Sequence, residues 1–136
     1  MRRVIFWVAL SLFILPAAAA SDGLTGKWRI VAVGGAEGLD VSKAQAEFAA
    51  NGRFSSTIGC NRIAGKPLVS GQKLAFGPMM TTRMACPPPL DTVERQYLAA
   101  LEAVRAYRLA GKTLVFLGDG GEALVTLEKE PSSGRR

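Results

Sequence analysis

The chain has 136 residues, of which 17 are basic and 11 acidic; it contains two cysteines and no histidine. Lack of histidine rules out histidine-based nucleophilic triads and histidine metal sites, and two cysteines fall short of the four ligands of a structural zinc site. The basic residues are scattered singly, without interleaved aromatics, which argues against nucleic acid as a partner, since phosphates call for a concentrated basic face.

Arg2 and Arg3 precede the apolar run Val4 to Leu15, followed by Pro16 and Ala17-Ala18-Ala19-Ala20. That apolar core is too short to span a bilayer, and the charged start and small-residue end read as a secretory signal peptide cut after Ala20. No cysteine stands at the cut, so a lipid-modified N-terminus is not expected. The mature chain is expected in the periplasm or cell envelope, with no transmembrane segment. Without residues 1–20 the chain keeps 116 residues and a charge of +4, enough for one domain with one core. We place that domain at 21–130 and expect the tail 131–136, with Pro131-Ser132-Ser133-Gly134, to be disordered.

Lys27-Trp28-Arg29-Ile30-Val31-Ala32-Val33 opens with the alternation of a half-buried strand, Trp28 and Ile30 pointing inward. Ala46 to Ala50 and Arg53 to Ile58 flank Asn51-Gly52, a dipeptide that tolerates positive φ at both central positions of a hairpin turn. Phe54, Ser56 and Ile58 share one face of the second arm, and Phe48 can meet Phe54 across the pair. Gly59 permits a sharp bend before Cys60. Lys66-Pro67-Leu68-Val69 reads as an edge strand because of its proline, and Gln72 to Phe76 alternates again. Met79 to Cys86 is strand-like or irregular. Its three methionines are expected to fill core gaps, the alternative being an adaptable contact surface. Beyond Pro87-Pro88-Pro89, the stripe Leu90, Val93, Tyr97, Leu101 and Val104 predicts one amphipathic helix, with Asp91 and Glu94 in a capping arrangement and Arg105 and Arg108 near its other end. A meander over 106–109, 113–117 and 123–127 completes the chain, jointed at Gly111 and Asp119-Gly120-Gly121.

Export and the even count predict a disulfide between Cys60 and Cys86, the alternative being two buried thiols. Closing a loop of about 25 residues would contribute roughly 3 to 4 kcal/mol in the chain-entropy model. Asn61 is expected to hydrogen-bond the turn backbone. Arg62 stands equally for an intramolecular salt bridge or for a contact to a carboxylate or phosphate of a ligand. No phosphate-cradling glycine motif is present, and Asp119-Gly120-Gly121 lacks the acidic partners calcium requires. We expect no cofactor, no metal and no enzymatic activity.

Gly59-Cys60-Asn61-Arg62 with Gly65, then Thr82-Arg83-Met84-Ala85-Cys86, resemble the motifs of the META/HslJ family. The resemblance extends to Trp28, Leu74, Phe76, Glu94, Tyr97, Leu101, Tyr107-Arg108-Leu109 and Thr113-Leu114, covering almost all of residues 24–128. It implies an α+β, mostly β fold: an antiparallel sheet curling into a small, partly open barrel with one packed helix. It also implies an exported bacterial envelope protein associated with stress and tolerance of certain antibiotics, without established catalytic residues. Some family members carry a lipid-attachment cysteine where this chain has Ala17 to Ala20. Asn61, Arg62 and Arg83 are the motif residues open to a contact role. The leading expectation is contact with another envelope protein through an exposed apolar patch or open sheet edge; the alternative is a lipid or other small apolar ligand in the barrel mouth, lined by Phe48, Phe54, Phe76 and Phe116.

Overall fold

The structure is a computed structural model that describes Ser11 and residues 23–131; the expected signal peptide and its cut, and residues 132–136 of the expected tail, lie outside the described residues. Ten strands and one helix follow in the order β1 (Gly26–Val33), β2 (Gln45–Phe48), β3 (Phe54–Thr57), β4 (Arg62–Gly65), β5 (Leu68–Ser70), β6 (Lys73–Ala75), β7 (Met80–Thr81), α1 (Leu90–Ala103), β8 (Ala106–Ala110), β9 (Thr113–Leu117) and β10 (Ala123–Lys129). They form a single sheet in the order β5-β6-β8-β9-β10-β1-β2-β3-β4-β7, antiparallel at every pairing and curled into a half-barrel. The expected α+β, mostly β architecture is the one observed.

Alternation places the core. In β1 Trp28 and Ile30 are buried while Lys27 and Arg29 face out; a bulge between Ile30 and Ala32, where β1 pairs with β10, then shifts the parity so that Val33 faces inward. Trp28 donates its indole N–H to Leu24 O at 2.8 Å, and Lys129 Nζ lies 4.7 Å from its ring centroid. Phe48 stands opposite Phe54 across β2 and β3, with ring centroids 5.0 Å apart. Phe76 lies 4.7 Å from Phe54 and 5.2 Å from Phe116, so the four phenylalanines pack on one another in the interior. The apolar hollow beside Leu24, Phe48, Pro67 and Val69 measures about 180 Å³. Pockets for drug-sized ligands run to roughly 300–1,000 Å³.

The hairpin closes differently from its two-residue expectation. Five residues, 49–53, join the arms: Gly52 N donates to Ala49 O and Ala49 N to Arg53 O. Only Gly52 takes positive φ (85°), while the Asn51 side chain accepts the Arg53 N–H at 3.0 Å. The asparagine thus contributes its side chain to the turn, leaving the left-handed backbone to the glycine.

The stripe on α1 buries Val93, Tyr97 and Leu101, with Val104 just beyond, and the helix packs against β10 and β1. Its expected capping by Asp91 and Glu94 is not found. Pro89 is the N-cap and no side-chain cap bond forms; Leu90 N and Val93 N donate to Pro87 O and Pro89 O. Asp91 accepts from Thr92 N and faces Arg95 at 3.9 Å, and Glu94 turns into the domain. The proline carbonyls already take the first donors, which frees both acids for other work. At the other end Arg105 donates to Glu102 O and Val104 O, closing open carbonyls, while Arg108 belongs to β8.

The edge position expected from Pro67 holds, since β5 ends the sheet. The methionines divide. Met79 packs half-buried on the core, but Met80 and Met84 are 75% and 58% exposed, so core filling is corrected for those two. β7, the other end of the sheet, has only β4 beside it, and the outward side chains of so narrow a margin have no second layer to enter.

Candidate functional site

After Ile58, the last buried residue of the β3 arm, the chain bends at Gly59 with φ 116°, a conformation unfavourable for any residue bearing a Cβ. The bend delivers Cys60 to Cys86, and the two are joined at a Cα–Cα distance of 6.0 Å. Between this disulfide and α1 lies Asn61, 4% exposed.

Asn61 organises its surroundings through both ends of its amide. Its Oδ1 accepts from Met84 N at 2.7 Å and from Thr82 Oγ1 at 2.9 Å. Its Nδ2 donates to Glu94 Oε2 at 2.6 Å and to Met84 O at 3.2 Å, with Cys86 Sγ at 3.3 Å as a third, weaker neighbour for two hydrogens. The Asn61 backbone N–H donates to Glu94 Oε1 at 2.9 Å. Glu94, 8% exposed, therefore has each carboxylate oxygen bonded, as a buried acid requires. Its Oε2 lies 3.7 Å from Cys86 Sγ; a disulfide sulfur carries no hydrogen, so this is contact only.

The bonds to Met84 have a particular form. A strand residue offers a neighbour one N–H and one C=O; the Asn61 side chain offers Met84 the same pair. The amide thereby prolongs the pairing of β4 with β7 past the end of the ladder, where Thr82 N donates to Arg62 O at 3.0 Å and Thr82 Oγ1 accepts from Arg62 N at 2.9 Å. Beneath this knot, Ser56 donates to Gln45 O at 2.9 Å, which commits its one hydrogen; Tyr97 therefore donates to Ser56 Oγ at 2.7 Å. Burial pushes the Tyr97 phenol well above its ordinary value.

The motif residues separate by environment. Cys60, Cys86 and Asn61 come together as one unit. Arg62 and Arg83 are exposed. Among the described residues the ion pairs are Lys43–Asp40 and Arg95–Asp91, so the intramolecular salt bridge considered for Arg62 is not formed. Its side chain instead borders a shallow outer groove of about 280 Å³ with Lys27, Gln45, Glu47, Ser55 and Thr57. Cys60, Cys86 and Glu94 hold their potential ligand atoms within 4.8 Å of one another, but both sulfurs are spent in the disulfide and offer no thiolate to a metal.

Sequence reasoning missed Glu94 as the partner of Asn61. The signal was present: Glu94 lies beside Val93 and three residues before Tyr97, within the apolar stripe, and an acid on a buried face demands a donor.

A family model described as META domain matches residues 22–131. No curated protein matches the chain. Among solved structures, an NMR structure of a protein from Burkholderia xenovorans is similar, with 25% identity and a TM-score of 0.66, over 82% of this chain and 87% of that one. A second NMR structure shares the fold at 19% identity and a TM-score of 0.61, over 78% and 90% of the two chains. A crystal structure of a DUF4847 family protein from Bacteroides vulgatus ATCC 8482 shares it at 14% identity and a TM-score of 0.59, over 82% and 99%. With the model spanning the whole sheet, the helix and the Cys60-Asn61 and Cys86 motifs, the chain belongs to the META domain family.

Proposed function

We propose that this protein is a non-enzymatic, exported envelope protein that supports the cell under envelope stress or antibiotic challenge by contacting another envelope component. One observation carries the reading. Among the described residues, the three most exposed large apolar side chains are Leu68 (76%), Met80 (75%) and Met84 (58%), and they lie on or beside the two end strands of the sheet, β5 and β7. Exposed apolar groups beside unpaired strand edges are what a recruiting surface needs and what a solitary protein avoids. Methionine suits such a surface, because its unbranched, polarisable side chain adapts to a partner's shape. The disulfide supports the export half of the reading, being at home in an oxidising compartment.

The test is site-specific photo-crosslinking in intact cells, with the photoreactive residue at position 80 or 84 and, as control, at Arg95 on the exposed side of α1. The expected result is a discrete protein adduct from 80 and 84 and none from 95. Adducts equal at all three positions, or none, would overturn the proposal.

A further inference from the structure

The margin at β7 has a backbone polarity and a charge that specify more than a partner of unstated kind. The antiparallel register sets Ala64 against Met80 and Ile63 against Thr81, and Thr82 N donates to Arg62 O. By the alternation of an antiparallel ladder, Met80 and Thr82 direct their N–H and C=O groups at β4, and Thr81 directs both of its own away. The side-chain amide of Asn61 extends the same parity, holding Met84 N and Met84 O, so Arg83 is again turned outward. Neither Thr81 nor Arg83 has a further backbone partner among the described residues. Two consecutive outward donor–acceptor pairs therefore stand open along residues 81–83, stiffened from behind by Asn61, Glu94 and the disulfide.

The stretch of chain that carries this margin has charge of one sign. From Phe48 to Leu90 the chain has five cations (Arg53, Arg62, Lys66, Lys73 and Arg83) and no aspartate or glutamate. Both end strands lie inside that span. Glu94, the acid bound to the motif, is buried and engaged by Asn61. A second copy of this chain paired edge to edge at β7 would set basic margin against basic margin, which disfavours a homodimer there.

We infer that residues 80–84 receive an extended acidic segment of another protein, added to the sheet as an eleventh strand beside β7. The segment pairs its backbone with Thr81 and Arg83. Its alternate side chains lie beside Met80 and Met84 on one face, and beside Thr81 and Arg83 on the other, so the pattern that fits alternates apolar with acidic residues. Main-chain pairing supplies affinity, and the carboxylate facing Arg83 supplies selectivity. This deepens the proposed partner contact and rests on it.

The test uses two amide-capped heptapeptides, alternating valine with glutamate and valine with lysine, titrated into the isotope-labelled, oxidised protein and followed by amide NMR shifts. The glutamate peptide should bind saturably, moving the amides of Thr81 and Arg83 most, and about tenfold more tightly than the lysine peptide, as cross-strand attraction replaces repulsion. Thr81→Pro removes the outward N–H while leaving the pairing with β4, and should abolish binding. Arg83→Glu, at an exposed side chain, should reverse the preference between the two peptides and decides the matter if the proline variant does not fold. Equal binding of both peptides, shifts centred on β5, self-association through β7, or no saturable binding would each overturn the inference. Adducts from positions 80 and 84 in cells, with neither peptide bound, would leave the partner contact standing and remove only the acidic strand. Binding of the glutamate peptide without adducts would remove the envelope contact and keep the chemistry of the edge.

Discussion

The aromatic interior and the polar knot at Asn61 lie within one small domain and hold it together by opposite means. Phe48, Phe54, Phe76 and Phe116 are non-directional: any rings of the right volume, set on the inward positions of curled strands, exclude water from the same space. The knot is directional. Asn61 fits because its amide has the donor and acceptor of a peptide at the point where β4 stops, and Glu94 fits because a buried donor pair is waiting for it. The difference teaches where change is tolerated. The interior should accept conservative exchange and lose stability in proportion to volume removed, whereas the knot should respond to loss of single atoms.

The largest effect expected is Phe54→Ala, since Phe54 is 1% exposed and touches two other rings of the cluster. A loss of about 3–5 kcal/mol is expected, read as a lower urea midpoint, whereas Phe54→Leu should lose well under half of that. Replacing Cys60 and Cys86 together by serine should cost about 2–5 kcal/mol, and reduction of the wild type should reproduce it, because the bond closes a loop over a sequence separation of 26. If the interior and the knot are separable, the double variant combined with Phe54→Leu will show additive losses.

Asn61→Ala comes next, at about 2–3 kcal/mol, because Met84 N and the carboxylate of Glu94 lose partners in a site that little water reaches. It should also accelerate amide exchange at Thr82 and Met84 while the interior stays protected, a local signature that ring substitutions do not give. The smallest effect is Tyr97→Phe, about 1 kcal/mol, since Ser56 keeps its bond to Gln45 O. Its value lies in pH. The folded protein holds the Tyr97 phenol proton more tightly than the unfolded chain does, so this stabilisation is complete below the ordinary tyrosine range and is lost as pH rises through and beyond it. Alkaline unfolding should therefore be steeper in wild type than in Tyr97→Phe; parallel curves would show that burial of this phenol does not set the alkaline limit.

Much of this architecture is legible along the chain because it is local. Alternation at Trp28 and Ile30, the stripe from Val93 to Val104, the proline that consigns Leu68 to an edge and the bend at Gly59 each depend on neighbours within a few positions. The failures share a cause. Glu94 read as a cap because sequence spacing cannot say that two proline carbonyls, of Pro87 and Pro89, will take the first donors or that Asn61 waits 33 residues away. Met80 and Met84 read as core because composition does not say which strand will be last in the sheet.

The sequence alone determined the helix, the pairing of the two cysteines, the family and the strands other than β4 (Arg62–Gly65), which it read as part of the bend around Cys60, because periodicity, turn chemistry and short motifs are properties of adjacent residues. Tertiary structure alone decided that Asn61 stands in for a missing strand residue, that Glu94 is its counterpart and that β7 ends the sheet. These depend on strand order and on contacts between distant residues, and only the folded sheet brings those groups within hydrogen-bonding distance.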